Sequence, residues 1–175
     1  MCGIVGVFGG DFSTIENANS AISHRGPDDC GIYTNKSLKV GLGHRRLSII
    51  DTSSFGHQPM SSDDGKVILV FNGEIYNYKE LRSDLKGKGF VFQGESDTEV
   101  LLNLYRSEGI KMLTKLNGIF AFAIFDISLK SLFVARDALG VKPLYYSTKG
   151  NVFSFASEIK ALLKLSSGHN ELDVE

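Results

Sequence analysis

Tryptophan is absent from this chain, and cysteine and proline are scarce, at two and three residues. Two cysteines cannot build a disulfide framework. Three prolines beside nineteen glycines suit strands joined by tight turns rather than a disordered chain. Charge of one sign is lacking too, since nineteen basic and twenty acidic residues leave a formal net charge of −1. That balance provides neither the basic footprint of a nucleic-acid binder nor the polybasic patch of a membrane-surface protein. Apolar runs such as residues 119–125 fall far short of the roughly 20 residues that span a bilayer. Residues 1–10 have no basic start and no long apolar core, so they are not a secretion signal. What is present is 175 residues of ordinary globular composition, enough for one domain with a core of its own. A cytoplasmic, soluble, single-domain protein is expected.

Strand-like runs dominate. Residues 4–8, 31–34, 39–43, 48–51, 66–71, 90–92, 119–125, 131–135, 144–147 and 152–155 are rich in β-branched or aromatic residues. Residues 67–71 and 119–125 are apolar without alternation, which predicts burial on both faces. Helical spacing joins Ile15, Ala18 and Ile22, then Leu81 and Leu85, then Val100, Leu101, Leu104 and Tyr105. A short piece follows around Met112, Leu113 and Leu116, and a last helix is predicted over 158–165. Helices before, between and after two-sided strands imply sheets covered on their outer faces. An α+β, four-layer arrangement of two packed sheets with helices outside fits this order. The polar stretch 166–175 reads as a disordered tail or the start of a linker.

Cys2 is the first candidate for chemistry. With Gly3 behind it, the initiator Met is of a kind that cellular aminopeptidase trims, leaving a thiol and a free α-amine on one residue. An α-amine of pKa about 7.7–8.0 is partly a free base near neutrality, and a thiol of about 8.5 needs little help to become a thiolate. Nucleophile and base on one residue is the N-terminal variant of the triad logic; the plainer reading is a small buried residue at a strand start. Asn72-Gly73 between apolar runs is a hairpin signal, or else an oxyanion hole built from an amide and a backbone N–H. Ser96 to Glu99 forms a capping box, with Glu99 reaching back to its N-cap. Asp97 there either complements the helix dipole or binds a substrate ammonium. Arg46, in the pair Arg45-Arg46, either sits in a solvated loop or clamps a carboxylate in bidentate fashion. No phosphate loop, dinucleotide loop or zinc-type spacing occurs. His24 and His44 are alternative bases should the amine not serve.

These elements stand in a specific order. Met-Cys-Gly-Ile-Val-Gly spans 1–6, Ser-His-Arg-Gly-Pro-Asp-Asp 23–29 and Gly-His-Arg-Arg-Leu-Ser-Ile-Ile-Asp 43–51. Phe-Asn-Gly-Glu-Ile-Tyr-Asn follows at 71–77, Ser-Asp-Thr-Glu-Val at 96–100, Ala-Arg-Asp-Ala-Leu-Gly-Val-Lys-Pro-Leu-Tyr-Tyr at 135–146 and Phe-Ala-Ser-Glu-Ile-Lys-Ala-Leu at 155–162. Over residues 1–165 the chain resembles the class II glutamine amidotransferase domain, specifically the glutaminase half of asparagine synthetase-type enzymes. The resemblance implies an αββα sandwich of the N-terminal-nucleophile hydrolases. It implies that Cys2 is the nucleophile and its amine the base, and that Asn72 and Gly73 form the oxyanion hole. Arg46 would hold the glutamine α-carboxylate with backbone from Leu47 to Ile49, and Glu74 with Asp97 would take the α-ammonium. The reaction implied is hydrolysis of the glutamine side-chain amide through a glutamyl thioester, releasing glutamate and ammonia.

Such enzymes normally continue into a synthetase domain with a Ser-Gly-Gly-x-Asp-Ser pyrophosphate loop, which Ser166-Ser167-Gly168 does not supply. A truncated form of a longer enzyme is therefore expected, or else a free subunit working with a separate synthetase. No cofactor or metal is expected in this domain, and ATP and Mg only in the missing one. Glutamine is the expected substrate, with no nucleic-acid or membrane partner, and a homodimer is left open. The other readings are a glutamine-binding or regulatory module without turnover, and the glutaminase of a related amino-sugar or peptide amidotransferase.

Overall fold

The computed structural model describes residues 1–165; the tail expected at 166–175 lies outside the described residues. The strands are β1 (Gly3–Phe8), β2 (Asp29–Asn35), β3 (Val40–Arg46), β4 (Met60–Ser61), β5 (Val67–Ile75), β6 (Gly118–Asp126), β7 (Ser131–Arg136), β8 (Tyr145–Lys149) and β9 (Val152–Ala156). The helices are α1 (Ile15–Ala21), α2 (Tyr78–Gly87), α3 (Asp97–Glu108) and α4 (Ile159–Leu165), and the piece after α3 is a 3-10 turn, Gly109–Lys115. One sheet runs β2-β3-β1-β9-β8 and the other β4-β5-β6-β7, with antiparallel neighbours throughout.

The two-sided strands explain the layers. Along β5, Leu69 and Phe71 point to α2 and α3, where they meet Leu81, Leu85 and Leu101. Ile68 and Val70 point the other way, into a seam with Ile4, Leu42, Phe125 and Phe155. β6 does the same, with Phe122 and Ile124 outward and Ala121, Ala123 and Phe125 in the seam. On the far side of the first sheet, Val5 and Ala156 pack under Ile15, Ile22, Ala161 and Leu165 of α1, its C-terminal flank and α4. The result is the expected four-layer αββα sandwich. Burying each large apolar side chain contributes about 1.5–3 kcal/mol, and alternation along one strand stabilises two layers at once.

Four local expectations are corrected. Residues 48–51 are not a strand. Beyond β3 the chain leaves the sheet, and its polar backbone is satisfied by side chains: Ser48 N–H donates to Asp28 at 2.8 Å, and Arg46 donates to the Asp51 and Ser53 carbonyls. Residues 90–92 are not a strand either. Phe90 and Phe92 pack on the core from a loop whose neighbouring N–H groups at Gln93 and Gly94 donate to Glu99. Glu99 therefore completes no reciprocal capping box, although Ser96 Oγ does accept from Glu99 N–H at 3.2 Å. Asn72-Gly73 makes no hairpin. Both lie inside β5, opposite Ala121 and Phe120, because the long ladder to β6 runs on to Ile75 opposite Gly118. The two-residue strand β4 was invisible in the sequence, being too short to show a period.

Candidate active site

The two sheets each send a central strand to the same end of the sandwich. β1 begins there, with Gly3 opposite Arg45, and Cys2 precedes it. β5 carries Asn72, Gly73 and Glu74 to that end from the opposite sheet. Cys2, Arg46, Leu47, Ile49, Asn72, Gly73, Glu74 and Asp97 all line one cleft between them. Residues scattered over nearly a hundred positions are thus brought together as a set.

The Cys2 thiol is half-buried and sits on the Leu47 peptide, whose N–H donates to Sγ at 3.4 Å and whose carbonyl lies 3.6 Å away. Leu47 backbone, expected beside a carboxylate, here holds the nucleophile. Burial pushes the thiol above its ordinary pKa, against the Leu47 hydrogen bond and the positive charges of the chain terminus, Arg46 and Lys142. A base next to the thiol is therefore needed to generate a thiolate.

Asn72 is 1% exposed, and its Nδ2 has no hydrogen-bond partner among the described residues. Leaving a buried donor unpaired costs about 1–3 kcal/mol, so this amide is an unsatisfied donor in the cleft that the thiol also lines. Gly73 must be glycine at this point. A Cβ would fall 2.4 Å from the Ile119 carbonyl oxygen and 2.7 Å from Phe120 Cα, both backbone atoms of β6.

Asp97 opens α3 and is 5% exposed, its Oδ2 accepting from Ile75 N–H at 3.0 Å. Burial pushes its carboxyl up to about 6, and the Glu74 charge works in the same direction against hydrogen bonds from the backbone. Glu74 is exposed at the rim. Arg46 is buried at the end of β3, not in a solvated loop. Its Nη1 donates to the Ser53 carbonyl at 2.9 Å and its Nη2 to the Asp51 carbonyl, so it also staples the loop over the cleft. Ile49 stands exposed on that loop.

Two residues missed in the sequence line the same cleft. Lys142 adds a second cation, and Gln58 is buried, with Oε1 accepting from Phe71 N–H at 2.7 Å and Nε2 donating to Thr98 at 3.3 Å. Lys142 lies within the run 135–146, and its charge beside Pro143 is the available signal. Gln58 offered none, since a lone Gln has no pattern. The alternative bases do not reach the thiol. His44 is fully buried with Nε2 donating to the Phe71 carbonyl at 3.1 Å, and His24 pairs with Glu158 at 2.8 Å; neither lines the cleft.

Comparison with known proteins places this arrangement. The solved glutamine phosphoribosylpyrophosphate amidotransferase of Bacillus subtilis is similar with a TM-score of 0.77 at 26% identity, covering 94% of this chain and 43% of that one. The fold class is thus that of the N-terminal-nucleophile amidotransferases. A family model described as "Glutamine amidotransferase domain" matches residues 1–175, and the chain belongs to that family of glutamine-hydrolysing enzymes. Among curated relatives, asparagine synthetase [glutamine-hydrolyzing] 1 of Bacillus subtilis is 45% identical, covering 100% of this chain and 28% of its own length. Putative asparagine synthetase [glutamine-hydrolyzing] 2 of Methanocaldococcus jannaschii is 44% identical, covering 93% of this chain and 35% of its own length. The chain therefore spans about a quarter to a third of the relatives it matches.

Proposed function

We propose that the cleft runs the glutaminase half-reaction through a thioester on Cys2. The unpaired, buried Nδ2 of Asn72, in the cleft that the Cys2 thiol also lines, carries this reading. With Met1 removed, the Cys2 amine takes the thiol proton and the sulfur attacks the side-chain carbonyl carbon of glutamine. Negative charge gathers on the carbonyl oxygen, facing Asn72 Nδ2 and the Gly73 N–H, donors that need no reorganisation. The tetrahedral intermediate collapses as the ammonium proton passes to the leaving nitrogen, and ammonia departs. Water, deprotonated by the same amine, then cleaves the thioester to glutamate. Arg46 holds the α-carboxylate with backbone from Leu47 to Ile49, and Asp97 with Glu74 holds the α-ammonium, so both ends of a zwitterion are read.

The relatives' names support the finer reading. The ammonia passes to a synthetase domain or partner subunit, where ATP and Mg are used, while this domain itself uses no cofactor. The test is glutamate release from glutamine by the chain alone, without ATP or added metal. Cys2→Ala should abolish release while calorimetry still shows glutamine binding. Binding without release in the wild type would instead mark a non-hydrolysing module. Chains that keep Met1, sorted by intact mass, should be nearly inert, because the Cys2 nitrogen is then an amide and Met1 itself lines the cleft.

A further inference from the structure

The nucleophile is anchored, through one guanidinium, by a side chain more than 150 residues away in sequence. The β1 ladder starts at Gly3, so the Cys2 carbonyl lies beyond the strand pairing. It accepts instead from Arg25 Nε at 2.9 Å. Arg25 is itself held: its side chain is 9% exposed, and Nη1 donates to Glu158 Oε1 at 3.1 Å. His24 Nε2 meets the same oxygen at 2.8 Å, and Lys160 Nζ approaches Oε2 at 3.1 Å. Glu158 cannot drift, because its neighbour Ser157 is locked to β1. Ser157 N–H donates to the Ile4 carbonyl at 2.8 Å, and Ile4 N–H donates to Ser157 Oγ at 2.9 Å.

We propose that Glu158 is a positioning residue for glutamine hydrolysis, aiming the Arg25 guanidinium at the Cys2 carbonyl and so fixing the backbone that carries thiol and amine. The proposal rests on the reading of Cys2 as nucleophile. Once trimmed, Cys2 has a peptide neighbour on one side only, so its carbonyl is the main backbone handle by which the protein orients it. Freeing that carbonyl lets the peptide plane after Cys2 rotate, swinging sulfur and nitrogen together away from Asn72 and the substrate. Displacements of about 1 Å at a reacting atom can cost about 10²-fold in rate. Glu158 keeps one ionisation state across the working pH range. Burial opposes its charge, but hydrogen bonds from Arg25, Lys160 and His24 outweigh burial and hold its carboxyl down at about 2.

The experiment compares trimmed wild type with Glu158→Ala, Glu158→Gln, Lys160→Ala and Cys2→Ala by glutamate release, with thermal melting beside it. Glu158→Ala should lower kcat about 10- to 100-fold at a KM within about twofold of wild type. Glu158→Gln, whose amide oxygen still accepts from Arg25, should recover most of that loss, and Lys160→Ala, which leaves the Arg25 bond to Glu158 in place, should cost far less than Glu158→Ala. Because Glu158 handles no proton in the reaction, the pH profile of kcat should drop without shifting. Wild-type kcat in Glu158→Ala, a KM that rises in step with the loss, a shifted profile, or a Gln variant no better than Ala overturns the proposal alone. Cys2→Ala that still hydrolyses glutamine overturns the nucleophile reading and the proposal with it. If the alanine chain does not fold, Glu158→Asp gives the same split: kcat reduced at constant KM supports the proposal, and unchanged kcat overturns it.

Discussion

Asn72 separates stability from function at a single side chain. Its Nδ2 has no partner among the described residues, so Asn72→Ala removes an unsatisfied donor and should leave the melting temperature unchanged or slightly raised. The same change should lower kcat by about 10²–10³, the usual cost of one oxyanion donor. A marked loss of stability would mean that the amide works for the fold rather than for the reaction. Asp97 yields a pH prediction. Its carboxyl ionises at about 6, and only the carboxylate attracts an ammonium. The KM for glutamine should therefore rise as pH falls below about 6 and be flat above it. Asp97→Asn should flatten that dependence and raise KM by roughly 10- to 150-fold at pH 7.5, from about 1.5–3 kcal/mol for a charge-assisted bond. Initial-rate kinetics across pH would check both; an unchanged profile in the variant would move the ammonium site elsewhere.

At the scale of elements, the segment between β3 and β4 is a strap tied at several points. Asp28 takes Ser48 N–H, Arg46 takes the carbonyls of Asp51 and Ser53, Asp51 takes Glu95 N–H at 3.0 Å, and His57 Nδ1 pairs with Asp29 at 2.7 Å. Arg46 is the central knot, and its planar fork reaches two carbonyls at once, which a lysine cannot do. Arg46→Lys should raise KM by roughly 10- to 150-fold and also increase hydrogen exchange across residues 47–57. If KM rises while exchange is unchanged, Arg46 serves the carboxylate only; unchanged KM removes it from the clamp. This double duty was hidden in the sequence. The run 48–51 has strand composition, and nothing local reveals that a buried guanidinium draws its backbone out of the sheet.

For the whole molecule, opposing titrations shape acid stability. Burial holds the His44 imidazole down to about 3, against its hydrogen bond to the Phe71 carbonyl. The unfolded chain, with His near 6.5, binds more protons between these values, so this stability is full above about 6.5 and lost as pH falls toward 3. Glu158, also depressed, adds stability above its ordinary 4.5 that is lost toward 2. Asp97 has the opposite sign. Its raised value makes the folded state bind more protons, so its contribution is present below 3.8 and lost as pH rises through about 6. The His44 slope is about 1.4 kcal/mol per pH unit and Asp97 offsets it between about 4.5 and 6. The melting temperature should hold nearly level there and fall steeply below about pH 4. Calorimetry from pH 3 to 7 reads this directly. Asp97→Asn should turn the plateau into a slope, and a wild type that already slopes from pH 6.5 would contradict the assignment.

What the sequence by itself determined was periodicity and chemical type. Unbroken apolar runs at 67–71 and 119–125 read as two-sided strands, and a four-layer arrangement fitted them. Cys2, Arg46, Asn72, Gly73, Glu74 and Asp97 were nameable because each is chemically distinctive and their order is specific. Tertiary structure alone decided which backbone groups find partners. Asn72-Gly73 has the local signal of a turn, yet ladder pairing with β6 keeps it extended, since nine paired residues outweigh one dipeptide's preference. Residues 90–92 have strand composition, yet Glu99 and α2 satisfy the neighbouring backbone first. The contact of Arg25 with Cys2 and its tie to Glu158 join residues from near both ends of the sequence, and no short window along the chain contains all three. Local pattern encodes what a segment can bury; which distant hydrogen-bond partner it meets is settled only when the two sheets close on each other.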